Sequence, residues 1–244
     1  AYCDSIVLLV KAMKGGASGG TMASMMNLMR EARADREVAR VLARPYSLNP
    51  EGEQRGPDRG DQRGIRFDAD VQSWTAPFIM ASVNTRVVRR SHALLGYPWG
   101  DGFRYHEAIR TGRGPGGWFR SAMITAGLGG LVGLASFGWS RSLLERFVLP
   151  KPGTGPDAKA RESGFFNLQQ TGKLPDGRHI RSRITGDRDP GYGSTSKMLA
   201  ESAVCLALDD LDSEGGVLTP AAAMAAPLIA RLQANAGLSF EIRD

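Results

Sequence analysis

The order of apolar and polar residues along the chain predicts short strands that alternate with helices. Residues 5–13 (SIVLLVKAM) form an apolar run with several β-branched side chains, which favours a buried strand. Methionines then recur at helical spacing and predict a helix over residues 21–34 with one apolar face. A second helix is expected over residues 35–43, because the position before Pro45 disfavours helical conformation.

Strict alternation predicts another strand at residues 102–110. One side of it carries Phe103, Tyr105, Glu107 and Ile109, and the other carries Arg104, His106, Ala108 and Arg110. A hairpin is expected where residues 165–171 and 178–185 flank a Leu-Pro-Asp-Gly turn. Both features indicate a largely antiparallel sheet in the middle of the chain.

The C-terminal part of the sequence predicts two helices and a strand. The first helix is expected over residues 194–208. Thr219 should cap the second, with Pro220 at its first position, and Pro227 should kink it. Residues 238–242 predict the final strand. The whole pattern indicates an α/β fold, in detail an α+β domain with a mixed, largely antiparallel sheet.

A basic helix is predicted to begin at Asn84, whose side chain can cap it, and to run to Leu95. On a 3.6-residue period Arg86, Arg89 and Arg90 share one face of this helix. Such a face is often simply solvated, but three like charges so close together also favour an anionic neighbour. Both interpretations stay open on the sequence alone.

Two segments differ from the rest in composition. Residues 49–70 are rich in Gly, Asp, Arg and Gln, and with almost nothing apolar to bury they predict a flexible surface loop. Residues 122–139 contain five glycines and no charge. They are at the lower limit of length for a membrane span, which stays one alternative; membrane-surface or lipid contact and burial as a core helix or hairpin are the others. An interface with a second subunit is another way in which so apolar a segment could be shielded from water.

A predicted strand, a glycine-rich turn at residues 15–21 (GGASGGT) and a helix are the ingredients of a phosphate site. The turn is neither GxGxxG nor a Walker loop, because no lysine follows Gly20. It is therefore either a tight structural turn or a place where the bare backbone at Gly19 and Gly20 lets a ligand approach.

Composition and charge narrow the classes of function. Of the 244 residues 42% are hydrophobic and 23% charged, so the chain can bury a core without a disulfide or metal. The net charge of +6 comes from arginines interleaved with acidic residues, and we expect no nucleic-acid partner. Cys3 and Cys205 fit no zinc or disulfide pattern, and His92, His106 and His179 define no metal or catalytic site. No signal peptide is visible, so we expect a cytoplasmic location, with peripheral membrane contact as an open alternative.

Seven segments follow one another in an order that is shared with one family. They are GGASGGTMAS (15–24), PYSL (45–48), WTAPFIMASVNTRVVRRSHALL (74–95), FRYHE (103–107), PKPGTGP (150–156), GYGSTSKMLAESA (191–203) and GVLTPAAAM (216–224). In this order they resemble saccharopine dehydrogenase-like oxidoreductases, especially the subgroup of trans-acting enoyl reductases. The resemblance extends from about residue 2 to residue 241.

The resemblance implies a division of roles along a longer protein. Family members place a Rossmann domain ahead of this region, and nothing in this chain matches its GxxGxxG loop. NAD(P) would therefore be bound mainly by a domain that is missing here. Residues 1–212 would form the substrate-side domain, and residues 213–244 would return to the nucleotide-binding domain. The implied activity is NAD(P)-dependent reduction of an enoyl or related lipid or polyketide intermediate, carried by a separate synthase.

Six residues are expected close to the substrate or cofactor under this interpretation. They are Gly19, Gly20, Thr21, Asn84, Arg86 and Arg90. The resemblance identifies no catalytic residue, and no metal is expected. Residues 122–139 would accept an acyl chain or contact a second copy in a homo-oligomer. The rival hypotheses are a non-catalytic lipid- or membrane-associated module and an inactive truncated remnant.

Overall fold

A computed structural model describes residues 2–15, 19–137, 146 and 153–243. Its strands are β1 (Ser5–Lys14), β2 (Arg66–Asp68), β3 (Ser73–Pro77), β4 (Arg104–Gly112), β5 (Phe165–Lys173), β6 (His179–Gly186) and β7 (Leu238–Arg243). Its helices are α1 (Gly19–Ala34), α2 (Arg36–Ala43), α3 (Ala81–Leu94), α4 (Gly114–Ser136), α5 (Ala158–Glu162), α6 (Gly193–Leu208) and α7 (Pro220–Asn235).

The seven strands form one mixed sheet in the order β2-β3-β4-β1-β5-β6-β7. β1 and β4 run parallel, with Leu8 opposite Glu107, and the other neighbouring strands are antiparallel. The predicted α/β class with a largely antiparallel sheet is therefore confirmed. β7 forms one edge of this same sheet by pairing with β6, and the return of residues 213–244 to a separate domain stays a prediction.

One face of the sheet carries most of the core, beneath α3, α6 and α7. Phe166 of β5 clusters there with Cys205 of α6 and Leu228 of α7. Tyr105 of β4 belongs to a neighbouring cluster, against which Val88 of α3 packs. The apolar side of each alternating strand points to these helices, as the period of two residues requires.

The turn between β2 and β3 lies over the opposite face of the sheet. Val71 in this turn is buried with Val7 and Leu9 of β1 and with Ala108 of β4. The side chains of these strand residues alternate with those of the helix-covered face. The central strands are consequently apolar on both faces, although the turn covers only a small part of the second face.

Elements with a strong local pattern lie where the sequence predicted them. Asp35 caps α2 by accepting from the Glu37 backbone N–H at 2.7 Å, and the hairpin of β5 and β6 is confirmed. Thr219 caps α7 as expected. The kink of α7 is also present, with Ala225 at φ 37° just ahead of Pro227, whose ring and missing N–H break the helical pattern.

The prediction that Asn84 caps α3 is wrong. The helix begins at Ala81, with Met80 at the capping position, and Asn84 lies within its first turns. The Asn84 amide instead donates to the carboxylate of Glu107 at 2.9 Å. A residue type that favours a cap is used here for a tertiary contact.

Residues 49–70 are not a loop throughout, contrary to the prediction. Arg66–Asp68 form β2, which pairs with β3, and both Asn49 and Asp68 are buried. Asp58 and Asp61 of the same stretch bind arginines of α3. The polar groups of this segment are buried against partners in other elements, which its composition alone cannot predict.

Most of the apolar segment 122–139 lies in the single long helix α4, while residues 138 and 139 lie outside the described part. Gly114–Ala135 is long and apolar enough to cross a membrane, with a mean hydropathy of 1.2, and only 11% of its most apolar 18-residue window is buried. Neither a hairpin nor an ordinary core helix is therefore correct for the described residues. The described part of this segment is only partly covered within one chain.

Candidate functional site

The outer edge of β4 is completed by side chains where its partner strand stops. β3 pairs with β4 only as far as Pro77 opposite Ala108, so the outward backbone groups of Tyr105 have no strand partner on that side. Asp58 accepts from the Tyr105 N–H at 3.3 Å, and Arg89 donates to the Tyr105 carbonyl at 3.1 Å. The Asp58–Arg89 ion pair therefore replaces the missing strand at this point.

Arg89 is a buried connector between α3, the stretch of residues 49–70 and the sheet. Its guanidinium lies 2.8 Å from Asp58, and their side chains are 3% and 11% exposed. It also donates to the Pro45 carbonyl at 3.2 Å and to the Thr85 hydroxyl at 3.0 Å. The interpretation of this residue as part of a solvated face is wrong, because its charge is neutralised inside the molecule.

Arg86 forms a second buried ion pair one turn earlier. Its guanidinium lies 2.9 Å from Asp61, which also accepts from the Thr85 hydroxyl at 2.8 Å. Arg90, the third arginine, is half-buried and donates to the carbonyls of Leu48 and Val217. The anionic neighbour that the sequence predicted for the basic face is, for Arg86, a carboxylate of this same chain. Arg90 instead donates to backbone carbonyls.

A buried carboxyl lies beside these pairs. Glu107 is 2% exposed and accepts from the Tyr105 hydroxyl and the Asn84 amide, each at 2.9 Å. Burial raises the pKa of Glu107 above its ordinary value of 4.5, although the two hydrogen bonds oppose that shift. Burial and the neighbouring Glu107 raise the pKa of Tyr105 as well. The pair can hold a proton, but its low exposure leaves no direct path for a substrate within the described residues.

A cavity of about 360 Å³ opens at the same edge of the sheet. It is lined by Gly60, Asp61, Gln62, Gly64, Ile65, Arg66 and His106. His106 precedes Glu107 on β4 and so points to the opposite face of the sheet. Asp68 lies 3.6 Å from His106, and this contact holds the pKa of Asp68 below its usual 3.8. The cavity offers one acidic and two basic side chains to a polar ligand.

The structure places the six predicted residues on two different helices. Gly19, Gly20 and Thr21 form the first turn of α1, where the Gly19 N–H donates to the Thr154 carbonyl at 3.0 Å. Asn84, Arg86 and Arg90 belong to α3 and join the polar contacts that this helix makes. The expected closeness of both sets to a ligand stays a prediction.

Gly15, the described residue just before the turn that leads into α1, packs closely against the rest of the fold. A Cβ atom on Gly15 would lie 2.3 Å from the Asp189 carboxylate, so glycine is needed there for close packing inside the fold. Asp189 is fully buried and accepts from the backbone N–H groups of Gly191, Tyr192 and Gly193. A buried carboxylate beside the turn disfavours a second anion. Residues 16–18 of the turn lie outside the described residues.

Sequence reasoning missed Tyr105, Glu107, Asp58 and Asp61 as members of this network. A usable indication existed only for Glu107, because alternation placed its carboxylate on the apolar side of a strand. For the aspartates no local pattern distinguishes a partner of a buried arginine from a solvated loop residue. Within residues 2–15, 19–137, 146 and 153–243, no group of three or more His, Cys, Asp and Glu side chains could hold a metal.

Comparison with known proteins gives a consistent likeness. The chain is 42% identical over 251 residues to a Mycobacterium tuberculosis protein provisionally named a trans-acting enoyl reductase, an alignment that covers 96% of this chain and 58% of that protein. It is 39% identical to a trans-acting enoyl reductase of Mycobacterium ulcerans, over 88% of this chain and 54% of the relative. For the Mycobacterium bovis protein of the same name the identity is 36%, over 94% and 57%.

The chain therefore spans a little over half the length of the curated relatives it matches. No family model and no solved structure matches it. The likeness covers α3, β4 and the stretch of residues 49–70, because the alignments include nearly the whole chain. The oxidoreductase name belongs to those longer relatives.

Proposed function

We propose that this chain is the substrate-side part of an NAD(P)-dependent oxidoreductase that reduces the double bond of an enoyl intermediate in lipid or polyketide synthesis. The observation that supports this most strongly is the likeness of 36–42% identity, along almost the whole chain, to trans-acting enoyl reductases. In trans action, the substrate would be presented by a separate synthase, bound to its carrier protein.

The nicotinamide cofactor would supply the hydride, and we place its binding mainly outside this chain. The reason is the turn before α1, where Asp189 occupies the space beside Gly15. A Rossmann domain of the saccharopine dehydrogenase-like kind would hold the dinucleotide in the complete protein. The role left to this chain is to bind and orient the acyl substrate and to exclude water.

The cavity beside β4 is the proposed place for the polar end of the substrate. Its volume lies at the lower end of the range for small-molecule sites. Arg66 and His106 can donate to carbonyl or phosphate oxygens of an acyl carrier, and Asp61 is held in place by Arg86. Arg86 would therefore act by positioning the cavity wall, while Asn84 and Arg90 support the same helix.

The test compares the product of the complete gene with the 244-residue chain. NADPH oxidation is followed by absorbance with an α,β-unsaturated acyl thioester, and NADPH binding is followed by its fluorescence. We expect the complete product to consume NADPH only with the thioester, and the 244-residue chain to bind no NADPH at micromolar concentration. Micromolar binding by the chain alone would contradict the placement of the cofactor site. A complete product without thioester-dependent oxidation would contradict the reductase assignment itself.

A further inference from the structure

Helix α4 exposes large apolar side chains in an otherwise folded region. Phe119 is 60% exposed, Met123 is 62% exposed and Trp118 is 47% exposed. These three residues lie in the first three turns of a 23-residue helix. Exposed apolar side chains that cluster in this way mark an interaction surface more often than scattered ones do.

The opposite side of α4 is fixed to the domain, so this exposure does not come from a detached helix. Ser121 is fully buried, and its hydroxyl lies 2.7 Å from that of Thr111 on β4. Gly117 packs so closely on the Gly112 carbonyl that a Cβ atom would come within 2.3 Å of it. Near the other end Ala135 is buried with Met26 of α1. At 100° per residue, Phe119 and Met123 point away from all these contacts.

Charge distinguishes α4 from the exposed apolar side of α6. Residues 108–144 contain no Asp or Glu, whereas Arg113 and Arg120 flank the exposed aromatic residues, and both are exposed. The exposed leucines of α6, by contrast, share their helix and its end with Glu201 and Asp209. Aromatic side chains beside arginines, without acidic groups, suit the headgroup region of an anionic bilayer.

We propose that α4 docks this protein on the surface of an anionic phospholipid bilayer. Phe119 and Met123 enter the boundary between headgroups and acyl chains, and Trp118 lies at the flank of the helix. Arg120 faces the phosphates together with the exposed end of Arg113, whose Nε donates to the Gln72 carbonyl. The helix lies in the plane of the surface, because its other side is bound to β4 and α1. This inference goes beyond the proposed reductase activity and does not depend on it, since it concerns where the chain is held.

Vesicle flotation tests the proposal directly. The 244-residue chain is mixed with vesicles of phosphatidylcholine, with or without phosphatidylglycerol, and tryptophan emission is recorded in parallel. We expect the chain to float with the anionic vesicles, to bind neutral ones more weakly, and to shift its emission to the blue as Trp118 leaves water. Added salt should weaken the anionic component, because exposed charges are screened.

The decisive variant is F119S/M123S, which replaces two exposed side chains and should leave circular dichroism unchanged. Each lost apolar contact is worth about tenfold in affinity, so the two together should lower binding by about a hundredfold. The matched control is V217S/I242S, because Val217 and Ile242 are 87% and 81% exposed at separate places. It should bind as the parent does. R113Q/R120Q should bind anionic vesicles only as weakly as neutral ones.

Three results would overturn the proposal. The first is equal vesicle binding by F119S/M123S and the parent chain. The second is a monomeric parent chain that binds no anionic vesicles. The third is a lipid-free dimer, seen by sedimentation velocity, that F119S/M123S dissociates while neither protein binds vesicles. In that case a second copy of the chain covers α4.

Discussion

Replacing Arg89 with methionine should destabilise the fold far more than a position on a helix surface suggests. The substitution keeps most of the side-chain volume but removes a charge that is 3% exposed and ion-paired with Asp58. It also removes the N–H groups that donate to the carbonyls of Pro45 and Tyr105. The loss leaves Asp58 as an unpaired charge at a nearly buried position.

The burial of this ion pair sets the expected decrease in the free energy of unfolding. Removing one partner of a buried ion pair costs about 3–5 kcal/mol, because the remaining charge stays out of water. A domain of this size shifts its Tm by about 2–4 °C per kcal/mol, so the expected decrease is roughly 6–20 °C. The matched control is R40M, because Arg40 pairs with Glu37 at side-chain exposures of 57% and 61%. That change should cost at most about 1 kcal/mol.

Urea denaturation followed by circular dichroism measures both variants under the same conditions. The double variant D58N/R89M should regain part of the lost stability, since no buried charge then remains unpaired. Equal midpoints for R89M and R40M would contradict the buried connector role of Arg89. If R89M kept its stability while the complete gene product lost affinity for an acyl thioester, Arg89 would instead be a ligand-binding residue.

Further predictions concern glycine packing and titration. G15A should lose about 1–3 kcal/mol in urea denaturation because of its clash with Asp189, whereas G127A, whose new methyl group meets nothing within 4 Å, should gain up to about 1 kcal/mol. Burial raises the pKa of Glu107, so its contribution to stability is full below pH 4.5 and falls as pH rises through the raised pKa. E107Q should remove this fall in stability with rising pH. A variant whose stability depends on pH as the parent's does would contradict the prediction. The pKa of Asp68 is lowered, so its contribution to stability depends on pH in the opposite direction. That contribution is present above pH 3.8 and is lost as pH falls through the lowered pKa, and D68N should flatten this dependence on acid.

The sequence predicted the elements whose causes are local. The hairpin of β5 and β6 follows from alternation around Pro175-Asp176-Gly177, where the Leu174 N–H and carbonyl bond to Arg178 and Gly177. α7 follows from its capping threonine and its proline. In each of these cases the determining residues lie within a few positions of one another, so a periodicity or a turn motif contains the whole explanation.

The arginine face shows where local reasoning stops. Periodicity correctly placed Arg86 and Arg89 on one face of α3, but it says nothing of what covers that face. The covering carboxylates, Asp61 and Asp58, lie 25 and 31 positions away in the chain. They belong to a stretch whose composition resembles that of a solvated loop. A segment can be polar because it surrounds buried charges as well as because it faces water.

Glu107 illustrates how the alternation of a strand can by itself indicate a polar cluster. Alternation put this carboxyl among Phe103, Tyr105 and Ile109, on the side that packs against helices. A buried carboxyl needs donors, and one is already present on the same side of the strand two residues earlier, the Tyr105 hydroxyl. The other donor has to come from the element that covers the strand, and an amide near the start of α3 is suited to it. Asn84 is therefore better explained by the needs of Glu107 than by helix capping, and its substitution should affect the pH dependence of stability more than the helix itself.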